Sequence, residues 1–103
     1  MPISRGGGGF GPPAAPAVVK NFLWDAPSTG GSPTGYRIYW GTSTGVHSSG
    51  PHEDTGAALE ELYTALGLAA DTTYYVIARA YNGDGEGPDS NEIQVRNGVQ
   101  IGP

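Results

Sequence analysis

A chain of 103 residues with 18 glycines, 9 prolines and no cysteine is one domain at most, rich in turns, and has neither a disulfide framework nor thiol chemistry. Ten acidic residues against five basic ones leave a net charge of −5. Arg5, Lys20, Arg37, Arg79 and Arg96 are scattered along the chain, so a nucleic-acid partner, which needs clustered cations, is excluded.

Residues 1–16, MPISRGGGGFGPPAAP, are a low-complexity arm. Its glycines lose much entropy on ordering, whereas its prolines are already extended. The plainer reading is a solvated tail. The sharper one is an arm that orders on a partner, with Ile3, Arg5 and Phe10 making the contacts. No apolar run reaches signal-peptide length or the ~20 residues of a membrane span, so the expectation is no export leader and no membrane insertion.

Residues 18–24 read as a strand, with Lys20, Phe22 and Trp24 on one face and Val19, Asn21 and Leu23 on the other. A loop follows at 28–33. In TGYRIYW, residues 34–40, Tyr36, Ile38 and Trp40 alternate with Arg37 and Tyr39, which predicts a strand whose Tyr36 and Ile38 pack on Trp24. Residues 41–57 are turn-rich, with a short strand expected near Val46. Residues 59–66 are ambiguous: Leu59, Leu62, Tyr63 and Leu66 recur at helical spacing, while Leu62, Thr64 and Leu66 alternate. The β context favours a strand, and a helical turn over 57–61 is the alternative.

The most informative passage is residues 68–91, LAADTTYYVIARAYNGDGEGPDSN. Thr72, Tyr74, Val76, Ala78 and Ala80 follow Leu68 at every second position, which predicts a strand before a Gly-rich turn opening at Asn82. A tyrosine at a strand's start, preceded by a loop leucine, is the sequence form of a tyrosine corner. Residues 92–99 complete the set, with Ile93 and Val95 inward.

Together these passages resemble a fibronectin type III domain over roughly residues 16–96. The resemblance implies an all-β fold, an antiparallel Ig-like β-sandwich of about seven strands. The expected division is an arm at 1–16 and a sandwich at 17–103, with Trp24, Tyr36, Leu68 and Tyr74 structural. One departure concerns the first strand. Pro16 lies only eight residues before Trp24, so that strand is short, displaced, built from the arm, or absent. If absent, the strand ending at Trp24 is a bare edge open to a neighbouring chain. The Arg-Gly-Asp of integrin-binding family members is replaced here by NGDGEG, and that activity does not carry over.

Asn82, Asp84 and Glu86 place oxygens at alternate positions, as calcium loops do, but no distal bidentate acid completes the motif. His47, His52, Glu53 and Asp54 have loose spacing for zinc. Ser48 and Ser49 lack the strained turn that presents a nucleophile. The expectation is no metal, no cofactor and no catalysis. Tyr39, Trp40, Tyr75 and Tyr81 form a candidate exposed platform for sugar rings or a protein, against the plainer reading of cross-strand pairing.

The function implied is structural: a small virion component of a tailed bacteriophage. It would be made in the bacterial cytoplasm, bound through its arm to capsid or tail subunits or to its own neighbours, and displayed on the particle surface. The alternative is an extracellular adhesion module that binds glycans or proteins. Many copies would let weak sugar contacts act together, so the two readings are compatible.

Overall fold

The computed structural model describes residues 3–6, 18–26, 33–45 and 50–102. Ten residues of alternation, Thr73–Asn82 (β6), form its longest strand, and the rest of the larger sheet assembles around it. Gly35–Gly41 (β3) pairs along one side of β6, with Tyr36 opposite Ala80 and Tyr39 opposite Ile77. Ile93–Arg96 (β8) pairs along the other, with Tyr74 opposite Val95. His52–Gly56 (β4) extends the sheet beyond β3, Val99–Gly102 (β9) extends it beyond β8, and Gly85–Glu86 (β7) folds back on the end of β6. The smaller sheet has three strands in the order Ile3–Gly6 (β1), Asn21–Trp24 (β2) and Glu60–Leu62 (β5). Every pairing is antiparallel.

The two sheets close on one core. Phe22 and Trp24 from β2 enter the same buried cluster as Tyr36 and Ile38 from β3, Val76 and Ala78 from β6, and Ile93 and Val95 from β8. Each of the Val, Ile and Phe side chains among them contributes about 1.5–3 kcal/mol when fully buried. The Trp24 and Tyr36 rings lie 6.1 Å apart and tilted, a favoured aromatic geometry. Tyr74 Oη accepts a hydrogen bond from the Ala69 amide at 3.0 Å, tying the start of β6 to the loop before it, and Leu68 packs against the core.

Three expectations are corrected. First, residues 59–66 do not run as one strand. β5 stops at Leu62, and Tyr63–Leu66 is a 3-10 turn ended by Gly67 in the left-handed region. The turn aims Tyr63 at Phe22, ring centroids 6.1 Å apart, and its Oη accepts from the Gly98 amide at 3.0 Å. Second, residues 92–99 are not one strand. Asn97 and Gly98, at φ of 49° and 74°, turn the chain back into β9, because Asn-Gly tolerates the positive φ that a two-residue hairpin requires.

Third, Val19 is core, not outer face. Val18 bridges to Val99 and the Val19 amide donates to Gly98 O, so the chain bends before β2 begins. The short strand expected near Val46 lies outside the described residues, and the strand described after β3 is β4, at His52–Gly56.

The first strand comes from the N-terminal segment. β1 pairs with β2 in the register Ile3 to Trp24, Ser4 to Leu23, Arg5 to Phe22 and Gly6 to Asn21. Ile3 is buried in the sandwich core, so its expected role as a partner contact gives way to a structural one. The Asn91 side chain holds it there: Oδ1 accepts from the Ile3 amide at 2.7 Å and Nδ2 donates to the Ile3 carbonyl at 3.1 Å. A primary amide here does the work of one more strand residue. Phe10 lies outside the described residues.

Candidate functional site

In β3 and β6 the even-numbered side chains face the core, so the odd-numbered ones share the outer face of the larger sheet. Register brings Arg37 opposite Arg79 and Tyr39 opposite Ile77, with Tyr75 and Tyr81 toward the two ends. Two guanidiniums side by side repel, and the β6–β7 hairpin resolves this. Asn82 Oδ1 accepts from the Asp84 amide at the turn, β7 pairs Glu86 with Tyr81, and the Glu86 carboxylate reaches across the face. It accepts from Arg37 Nη1 at 2.8 Å, from Arg79 Nη1 at 3.0 Å and from the Tyr39 hydroxyl.

The outer ends of the network are closed as well. Arg79 also pairs with Asp89, and Arg37 with Asp54 at 3.7 Å. The Arg37 guanidinium lies 4.2 Å from the Tyr81 ring centroid, within cation–π range, while Tyr81 Oη donates to Asp54 at 3.0 Å. Gly35 is the residue that permits this arrangement, since a Cβ there would meet Tyr81 Oη at 2.5 Å.

The electrostatics follow from the partners. Burial works against the Glu86 charge, but hydrogen bonds from Tyr39, Arg37 and Arg79 outweigh it and hold the carboxyl at about 2. Burial and the neighbouring Glu86 carboxylate push the Tyr39 phenol up. The Gly56 amide and the Tyr81 hydroxyl hold Asp54 below the usual carboxylate range. Glu86 and Asp54 are thus held as carboxylates against the Arg37 and Arg79 guanidiniums at neutral pH. The network braces β3, β4, β6 and β7 together and offers no poised proton acceptor.

The expected aromatic platform is dismantled by the same contacts. Tyr39 is 1% exposed, with the His52 ring 4.9 Å and the Arg79 guanidinium 5.5 Å from its ring centroid, so it cannot stack on a sugar. Trp40 leans on the sandwich core from the other face of β3. Tyr75 packs beside Tyr39 and Ile77, and Tyr81 is occupied by Arg37 and Asp54. The four do not form one surface.

Glu86 is the residue whose role sequence reasoning missed, since the turn pattern offered it only as a calcium-loop oxygen. Its signal was the pair of arginines at outer positions of adjacent strands, which requires a counter-ion. His52, Glu53 and Asp54 fall on β4, whereas His47, Ser48 and Ser49 lie outside the described residues. Among the described residues no group of three or more His, Cys, Asp or Glu side chains could hold a metal ion. No described helix is long and apolar enough to cross a membrane.

Comparisons with known proteins add one finding. Neither the curated proteins nor the solved structures include a match. The family model for the fibronectin type III domain matches residues 17–96, which takes in β2 through β8. The match covers most of the chain and agrees with the antiparallel sandwich and the tyrosine tied back at the start of β6. The chain belongs to the fibronectin type III domain family, whose members are interaction or structural modules.

Proposed function

We propose that this chain is a small, non-enzymatic component of a tailed-bacteriophage virion, held on capsid or tail subunits in many copies with its sandwich displayed at the particle surface. The observation that carries a structural role is the saturated network on the larger sheet. Arg37, Arg79, Glu86, Asp54, Asp89, Tyr39 and Tyr81 engage one another, so these side chains stiffen the domain. With Ile3 used inside its own sandwich, docking falls to the segment 7–17, GGGFGPPAAPA, where Phe10 is the one aromatic side chain. Multiplicity makes such a small contact sufficient, because each further copy binds at high effective concentration.

The test is sedimentation of the protein from its source, with mass spectrometry of the pelleted particles. The expected result is the chain at fixed stoichiometry in purified virions, with occupancy lowered by Phe10→Ala while the domain keeps its fold. Recovery only as a free soluble protein, with particles lacking it, overturns the reading. Recovery on a cell surface would favour an adhesion module instead.

A further inference from the structure

The first strand is held by contacts that do not depend on which chain supplies it. β1 contributes a four-residue ladder to β2, the Ile3 side chain to the core, and the Ile3 backbone to the two hydrogen bonds of Asn91. All of this lies within Ile3–Gly6.

The connection to the rest of the chain is far longer than the pairing needs. Gly6 lies opposite Asn21, a separation that two turn residues can bridge in an antiparallel hairpin. Residues 7–20 intervene instead. Of these, the eleven residues 7–17 have the span to reach ~35–40 Å when extended, at ~3.3–3.6 Å per residue. The domain measures 27 and 20 Å along its two shorter axes, so the tether is long enough to pass to an adjoining copy.

A place vacated by β1 is also demanding about what fills it. It leaves β2 with an unpaired edge, an apolar socket beside Trp24, and an exposed Asn91 amide whose geometry matches one backbone N–H and one C=O of an extended strand. A second copy of Ile3–Gly6 fills the edge and the socket and fits the Asn91 amide.

We propose that Ile3–Gly6 is an exchangeable strand: in two adjoining copies of this chain, each first strand leaves its own sandwich and pairs with Asn21–Trp24 of the other, giving a two-fold swapped dimer. The contacts of the open and closed forms are the same, so the balance is set by concentration and by the tether. Being in the same chain holds the strand at an effective concentration on the order of millimolar or below, and exchange becomes competitive as the protein approaches that value. This goes beyond the display role, and purified protein tests it without any particle.

The absence of cysteine makes the test direct. Ser4 and Leu23 are register partners, and an antiparallel pair places its Cα atoms ~4.5–5.5 Å apart, within disulfide reach. Chains carrying only Ser4→Cys are mixed with chains carrying only Leu23→Cys, oxidised over a range of concentrations, and mapped by peptide mass spectrometry. The reference pairing is Ser4→Cys with Asp84→Cys, at the exposed tip of the β6–β7 hairpin.

The expected result is a 4–23 link between chains that is scarce in dilute solution, rises steeply toward millimolar protein, and exceeds the 4–84 link severalfold. A 4–23 yield no greater than the 4–84 yield at the highest concentration overturns the proposal. So does failure of the double variant Ser4→Cys/Leu23→Cys to close within one chain when dilute, since β1 would then not lie beside β2.

Discussion

Replacing Glu86 by Gln keeps the shape of the side chain and removes the charge that three donors share. An unfolded glutamate gains its proton near 4.5, whereas folded Glu86 holds out to about 2. Between those values the unfolded chain binds more protons, so acid draws the protein toward unfolding. The gap of about 2.5 pH units, at about 1.4 kcal/mol each, sets a ceiling near 3.4 kcal/mol at neutral pH. Arg37 keeps Asp54 and Arg79 keeps Asp89 in the variant, which recovers part of the loss. The expected destabilisation is therefore about 2 kcal/mol at pH 7. Urea unfolding of both proteins from pH 7 to pH 2 should show that difference constant down to about pH 5, then shrinking and nearly gone at pH 2. A difference that ignores pH, or one below about 0.5 kcal/mol at pH 7, would refute the account of Glu86 as the central counter-ion.

Three further outcomes are expected. Tyr74→Phe should cost ~1–2 kcal/mol in denaturant unfolding, because the Ala69 amide loses its acceptor while the ring keeps its packing; an unchanged midpoint would count against the tie. Ile3→Ala should cost ~2–4 kcal/mol by the same assay, as a core truncation; a loss under about 0.5 kcal/mol would mean that β1 is a tail after all. Glu53 is pushed up by burial and then by the adjacent Glu61, so its charge opposes folding once pH rises through its folded value. Glu53→Gln should accordingly stabilise by roughly 0.5 kcal/mol near pH 7 and not at all near pH 3, and destabilisation at pH 7 would contradict this.

The frame of the sandwich was legible because its two longest strands alternate cleanly. Tyr36 and Ile38, then Tyr74, Val76 and Ala78, face inward as their spacing requires. What escaped the sequence depended on pairings between distant residues. Nothing local in ISRG distinguishes a strand from a tail; the Asn91 amide, 88 residues away, and the Trp24 edge decide it. Tyr39 was read as exposed because alternation identifies the face of a sheet but not what covers that face. The lid is Glu86, placed by a hairpin on another strand. The split after Leu62 reflects a real conflict of periods, resolved by a 3-10 turn that neither period describes. The Asn97-Gly98 hairpin was the one local signal present and passed over.

The clasp between Ile3 and Asn91 has a consequence for the order in which the chain acquires its structure. The strand that leaves the ribosome first is fastened by a side chain made 88 residues later. At ~5–20 residues per second that is a wait of roughly 4–18 s, long against the ~1–10 μs in which a hairpin forms. The clasp therefore closes only once the chain has been made through Asn91, after β2 to β7. Until then the first strand has only its ladder to β2 to hold it. On a polysome making many copies side by side, the strand exchange proposed above has its first opportunity in those seconds of synthesis.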